Sequence, residues 1–276
     1  MKIMKNKKWA ASAAFAGLLT AALVFAACKK EAVSAGDEPS TAPDIFKAVL
    51  PAGAAVTPEI STAELQDILE RKSAVVFDAR PFMEFAVSHI PGAVNLSAKP
   101  GVSKALYISD VAEIGRIVDG KDAPIILYCN GPYCGKAVRL SSELLEAGYT
   151  NVKRYQLGIP VWRALGFLTQ IEPEGARYVM NEDKTAVFID ARDAAAFNAG
   201  SLPGARNIPA SELKSGKDQG VILEAKNDGR LPVEDHNTRL IVFGANGAQA
   251  QTLAEAIAKE AFHNTAFFGG TWEDLR

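Results

Sequence analysis

Ile125-Ile126-Leu127-Tyr128-Cys129-Asn130-Gly131-Pro132-Tyr133-Cys134-Gly135-Lys136 runs from an apolar segment into a loop containing glycine and proline. The apolar run reads as a strand buried on both faces. Ala137 to Ala147 then places apolar residues at helical spacing and stops at Gly148, a residue suited to the position just past a helix end. Strand, loop and helix in that order belong to an open α/β sheet. There, ligands bind beyond the carboxyl ends of strands, where helix N-termini present free N–H groups. Cys129 stands at such a point. Its thiolate would be stabilised by the helix and by loop N–H donors, which lowers a thiol pKa and makes a nucleophile. The competing reading is a small apolar residue ending a buried strand. The loop composition and the helix start favour the nucleophile.

The same plan occurs twice. Upstream, Ser61-Thr62-Ala63-Glu64 is a capping-box pattern, followed by Leu65, Ile68 and Leu69 at helical spacing. Ala74 to Asp78 reads as a buried strand that leads into Asp78-Ala79-Arg80 and later Ser88-His89-Ile90-Pro91-Gly92-Ala93-Val94-Asn95. Downstream, Ala186 to Arg192 repeats that strand with its Asp-x-Arg, and Gly200 to Asn207 repeats the turn. Leu240 to Gly244 matches the strand into Cys129, and Phe268-Gly269-Gly270-Thr271-Trp272 matches the segment around Trp162. The four pairs lie 112, 112, 115 and 110 residues apart, in one order. That spacing is a tandem duplication, and the alternation of strands and helices predicts a parallel sheet covered on both faces in each copy.

The N-terminus is a separate matter. Lys2, Lys5, Lys7 and Lys8 precede an uncharged apolar run from Ala10 to Ala27, and Cys28 follows two alanines. This is the order of a secretory signal. The small residues before Cys28 resemble the lipobox of bacterial lipoproteins, although Phe25 stands where leucine is usual. The resemblance implies cleavage before Cys28, lipidation of that residue and a chain anchored to a membrane of the cell envelope. An uncleaved apolar helix is the alternative. Cleavage would leave 26 basic and 32 acidic residues, a charge of −6, which disfavours a general nucleic-acid partner. The organisation expected is a signal peptide over 1–27, a tether rich in Ala, Pro, Glu and Ser over 28–56, a first domain over 57–170 and a second over 175–276. Within the tether, Ile45 to Leu50 could dock on the first domain.

Taken together, Asp78 and Arg80, Glu84-Phe85, His89 to Asn95, Tyr128-Cys129 with its loop and helix, and Gly158 with Trp162 resemble a rhodanese (sulfurtransferase) domain. The resemblance implies an α/β fold of two tandem domains, each a five-stranded parallel sheet flanked by helices, with the catalytic cysteine opening a loop at a strand end. It also implies that Asp78 and Arg80 are a structural pair, that His89 belongs to a structural turn and that Trp162 packs in the core. Gly244 stands where the first copy has Cys129, so only the first copy can do covalent chemistry.

The mechanism implied is ping-pong sulfur transfer. Cys129 takes the outer sulfur of thiosulfate or a persulfide, and a thiol or cyanide removes it. N–H groups over Asn130, Gly131, Pro132, Tyr133, Cys134, Gly135 and Lys136 would hold the oxyanion and then the persulfide. Lys136 and Arg139 either add positive potential or are solvated helix-face charges. From Cys129 to Gly148 is 19 residues and from Gly244 to the matching Ala261 is 17, so the first loop is expected to be about two residues longer. A longer loop is similar to that of dual-specificity phosphatases and arsenate reductases. Those enzymes carry an arginine six after the cysteine, where this chain has Gly135. Cys134 has three open roles: a resolving thiol, one half of a resting disulfide, or a pocket wall. The pair lacks the ligands of a zinc site, so neither metal nor cofactor is expected. A non-enzymatic, thiol-redox sensing lipoprotein remains a reading from another class.

Overall fold

Ser61 starts the first copy by the predicted reciprocal cap: its hydroxyl accepts from Glu64 N–H, and the Glu64 carboxylate accepts from Ser61 N–H. The computed structural model describes residues 44–50, 57–99, 101 and 109–276. The expected signal peptide, Cys28 and most of the expected tether lie outside the described residues. The first copy contains α1 (Thr62–Arg71), β1 (Val75–Asp78), α2 (Phe82–Val87), β2 (Val94–Asn95), α3 (Asp110–Ile117), β3 (Ile125–Tyr128), α4 (Gly135–Glu146), β4 (Val152–Tyr155) and α5 (Gly158–Ala164). The second copy runs through β5 (Thr169–Ile171), α6 (Pro173–Tyr178), β6 (Val187–Asp190), α7 (Ala194–Ala199), β7 (Arg206–Asn207), α8 (Gly220–Asn227), β8 (Leu240–Phe243), α9 (Gly247–Ala258) and β9 (Thr265–Phe268).

The duplication holds in three dimensions. One parallel sheet has the order β2-β1-β3-β4, and the other has β5-β9-β8-β6-β7, so four strands of each follow the same path. Register repeats too: Asp78 pairs with Tyr128 and Asp190 with Phe243, which puts Cys129 and Gly244 one residue beyond equivalent central strands. The expected five strands form in the second copy. In the first, the fifth position is a single parallel bridge between Glu59 and Arg154. Ile60 N–H and Arg154 N–H make its two hydrogen bonds, to Arg154 O and Pro58 O. Proline has no N–H to extend the ladder on one side, and Ser61 turns into its helix on the other. Thr169 to Ile171 joins the second sheet, so by strand membership the copies divide before Thr169.

Alternation along β3 sorts its side chains into two cores. Ile125, Leu127 and Cys129 pack with Leu140 and Leu144 of α4, while Ile126 and Tyr128 pack with Leu65, Tyr155 and Trp162. Cys129 therefore continues the face that α4 covers. Trp162 is buried and donates to Leu168 O at 2.8 Å, in keeping with its core reading. In the tether segment, Phe46 meets Phe167 edge-on at 5.8 Å and its carbonyl accepts from Ala63 N–H, so the expected docking occurs there. Among the described residues, no helix is long and apolar enough to cross a membrane.

The copies are joined through α2. His89 and Gln170 exchange both backbone hydrogen bonds, at 3.0 and 2.8 Å. Gly175 of α6 lies so close to α2 that an added Cβ would sit 2.0 Å from Ala86 O. A glycine there is required by the approach of one backbone to the other.

Candidate active site

Cys129 is almost fully buried at the end of β3, and its carbonyl accepts from Ile159 N–H at 3.3 Å. The loop from Cys129 to Cys134 doubles back on itself. Gly131 takes a φ of +103°, and its carbonyl accepts from Cys134 N–H at 2.9 Å. This closed turn ends the loop early, so α4 begins at Gly135 and not at the predicted Ala137, with Cys134 in extended conformation as its N-cap. From the cysteine position to the first helical residue takes six steps here and three in the second copy, where Gly244 leads to Gly247. The loop is thus three residues longer, not two. The difference hid in the helix ends, because Ala261 lies three residues beyond α9 and Gly148 only two beyond α4.

Cys129 and Cys134 form a disulfide, with their Cα atoms 6.2 Å apart. Of the three roles open for Cys134, the structure holds the paired one. The other expected site residues divide sharply. Asn130 is exposed and donates its side-chain amide to Glu84 of α2. Pro132 and Tyr133 are exposed, Tyr133 completely so. Gly135 opens α4 and Lys136 pairs with Asp110 of α3 at 3.5 Å. Arg139 points along the outer face of α4 to Glu143 at 3.3 Å, both well solvated, so it is the helix-face charge of the two readings. The expected N–H cradle is also smaller than the loop is long: Pro132 has no donor, and Cys134 donates to Gly131.

What fixes the loop was missed from the sequence. The Nε2 group of Gln156 reaches the carbonyls of Gly131, Pro132 and Cys134 at 3.2, 3.3 and 3.1 Å. Its two N–H bonds are shared among three acceptors, which clamps the loop from beneath. Arg154 orients that amide by donating to Gln156 Oε1 at 3.1 Å, which leaves the nitrogen facing the loop. Arg154 is buried, donates to Thr57 Oγ1 at 2.7 Å and pairs with Glu59 at 3.0 Å. Burial pushes the Glu59 carboxyl up, with Arg154 opposing it only in part. A chain of contacts thus runs from the edge bridge at Glu59 through Arg154 and Gln156 to the cysteine loop. The one signal available was a charged residue, Arg154, at an inward position of a short strand, followed two residues later by an amide.

Asp78 and Arg80 form the expected structural pair. The Arg80 Nε donates to both Asp78 oxygens at 3.0 Å, its second nitrogen continues to Ser88 O, and Asn95 ties the carbonyls of both. Asp190, Arg192, Gly200 and Asn207 reproduce the motif in the second copy. Its recurrence beside Gly244 shows that it braces the strand end whether the strand leads to a cysteine or to a glycine. His89 is a structural residue as well: it is buried, stacks on Phe85 at 3.9 Å and has Nδ1 3.0 Å from Phe85 O. Burial depresses its pKa to about 4, against smaller opposing effects of the Phe85 carbonyl and Asp78. It is a neutral imidazole at neutral pH, with Nδ1–H donating.

Beside the loop lies a cleft of about 670 Å³ lined by Arg80, Met83, Glu84, Val87, Ser88, Arg163 and Tyr178. Glu84 connects it to the loop through Asn130. Arg163 is half-buried there, held below its usual pKa by burial and by the charges of Arg239 and Arg80. A larger cavity of about 740 Å³, between α1, the end of α5 and α9, contains no residue of the cysteine loop. In the second copy Gly244 is followed by a loop closed on itself: Gln249 Oε1 accepts from Ala245 N–H at 2.8 Å, and Gln249 N–H donates to Asn246 Oδ1 at 2.9 Å.

A rhodanese-like domain signature matches residues 61–165 and again residues 177–275. The chain belongs to the rhodanese family. It is 33% identical over 107 residues to an HTH-type transcriptional regulator of Mycobacterium tuberculosis, a match over 39% of this chain and 42% of that protein. It is 24% identical to the M. tuberculosis protein named "Putative thiosulfate sulfurtransferase SseB", over 78% of this chain and 92% of that one. Among solved structures it is similar to SseA of Escherichia coli, a 3-mercaptopyruvate sulfotransferase, at 22% identity over 76% of this chain and 96% of that one, with a TM-score of 0.32.

Proposed function

We propose that this rhodanese moves a sulfane sulfur from thiosulfate or a persulfide to a thiol or cyanide through a persulfide on Cys129, in the bacterial cell envelope. The observation that carries the reading is the placement of Cys129: it opens a clamped loop at the end of a central strand, directly before a helix, in one copy of two. Opening the disulfide with a dithiol frees the thiolate. The thiolate attacks the outer sulfur of thiosulfate, the donor S–S bond breaks and sulfite leaves with the bonding pair. An acceptor thiolate then attacks that sulfur and departs as a persulfide, returning Cys129. Arg163 supplies positive charge at the neighbouring cleft, which suits an anionic donor. Lipidation at Cys28 would anchor the enzyme to a membrane of the envelope, and radiolabelled palmitate incorporation that is lost in Cys28→Ala tests this part. The activity is tested by thiocyanate formation from thiosulfate and cyanide after reduction. Turnover that disappears in Cys129→Ser supports the reading, and no turnover with any sulfane donor contradicts it.

A second reading is favoured by the disulfide itself: a thiol-redox lipoprotein that binds a partner in one oxidation state. It predicts reversible opening of the pair without sulfur turnover. Oxyanion hydrolysis of the phosphatase type has less support, because the position six after Cys129 is the glycine that opens α4 and Lys136 is engaged with Asp110.

A further inference from the structure

We infer that Cys134 resolves the Cys129 persulfide within the same loop, so that the enzyme releases hydrosulfide and stores the oxidation as the Cys129–Cys134 disulfide. The inference rests on the proposed sulfur transfer and names its product when no outside acceptor intervenes. Two arrangements carry it. The first is that the folded chain, with β3 and α4 formed, accommodates the Cys129–Cys134 disulfide that the step would produce. The second is that hydrogen bonds from beneath and within hold the loop in that geometry. Gln156 binds the carbonyls of Gly131, Pro132 and Cys134, while the Cys134 N–H closes the turn onto Gly131. Cys134 also occupies the N-cap position of the twelve-residue helix α4, so a thiolate there would lie at the helix N-terminus.

The step balances. Once sulfite has left, Cys129 carries Sγ–S–H. The Cys134 thiolate attacks Cys129 Sγ, the Sγ–Sγ bond forms and the bond to the outer sulfur breaks. Hydrosulfide departs with the bonding pair. The transferred sulfur has gained two electrons, and the two cysteines have lost them. An external dithiol reductant restores the pair by two successive exchanges. The product is then sulfide and a disulfide of the reductant, where a persulfide-transferring rhodanese would leave a persulfidated acceptor.

The test is a single turnover of the full-length protein. It is reduced, freed of reductant and mixed with excess thiosulfate under anaerobic conditions, and sulfite, sulfide and intact mass are followed together. The inference expects one sulfide for each sulfite and a protein that ends about 2 Da lighter, as the disulfide. In Cys134→Ser, and independently in Cys134→Ala, it expects sulfite without sulfide and a protein about 32 Da heavier. Wild-type protein that releases sulfite yet keeps the added sulfur, with no sulfide, overturns the inference and leaves sulfur transfer standing. Absence of both sulfite and added mass in all three proteins overturns the two readings together. The stoichiometry in the wild type is informative even if neither variant folds.

Discussion

The carbonyl oxygen of Cys129 lies 2.4 Å from the point that a Cβ would occupy on Gly158, and Gly131 N lies 2.5 Å from it. Gly158 also has a φ of +64°, which a side chain would resist. The Cys129 backbone therefore rests directly against the start of α5, and both clashing atoms are main chain, with no flexible end to yield. Gly158→Ala is expected to cost about 2–4 kcal/mol in stability and to lower sulfur transfer about tenfold or more by moving the loop. Chemical denaturation and steady-state turnover of the purified variant check the two figures.

Gln156 holds the loop without reaching the reacting sulfur. Replacing it with alanine removes a donor from three carbonyls, of which only Gly131 keeps a bond within the turn, from Cys134 N–H. The expected outcome is a fall in kcat of about 10- to 100-fold, as for small misplacements of a nucleophile, with a fold still cooperative in thermal melts. Arg154→Met tests the next link. It leaves Glu59 buried without its partner and is expected to cost about 3–5 kcal/mol, measured by denaturant unfolding.

His89 sets an acid limit on stability. Its folded pKa is about 4, against about 6.5 in an unfolded chain, so between those values the unfolded state binds a proton that the folded state refuses. Stability attributable to this site is complete above about pH 6.5 and declines as pH falls toward 4, by at most about 3 kcal/mol. Glu172, whose carboxyl lies 3.5 Å from His89 Nε2 and is pushed up by burial and by Glu174, works in the opposite sense and reduces the net slope. Unfolding free energies at several pH values should show a shallower decline in His89→Gln than in the wild type over that window.

Moving the nucleophile to the second copy should fail. A Cβ at Gly244 meets Gln249 Oε1 at 2.8 Å, and the loop that would have to enclose a persulfide is three residues shorter. In a Cys129→Ser background, Gly244→Cys is expected to restore no thiosulfate turnover, whereas the same cysteine should still react with a small alkylating reagent. Parallel assays of the two reactions separate an absent pocket from an absent thiol.

Most of the architecture was legible because local signals agreed with one another. The Ser61–Glu64 cap, the buried runs into Asp78 and Cys129 and the glycine at 148 each marked an element, and the repeat supplied both buried runs, the Pro-Gly turn and the late tryptophan a second time. The place of Cys129 just past a central strand was legible for the same reason, since Gly244 holds the equivalent place in the second copy. The fifth strand of the first copy was not, because Pro58 and Ser61 confine it to one bridging residue that has no periodicity to read. Nor was the clamp under the loop. Gln156 touches residues 22 to 25 positions away, and contacts at that separation leave no trace in local spacing. Tyr133 and Arg139 are near the site in sequence only: the loop leaves Tyr133 exposed, and the helix puts Arg139 on the outer face of α4.

The claim most exposed to refutation is that Cys129 carries the transferred sulfur. The direct measurement is peptide mapping of reduced Cys134→Ser protein after exposure to thiosulfate, with thiols blocked before digestion. The account predicts an added sulfur, about 32 Da, on the peptide containing Cys129, and its loss on addition of cyanide. An unmodified Cys129 peptide, with the thiol free and accessible to the blocking reagent, after exposure to thiosulfate and to a small persulfide alike, would contradict it.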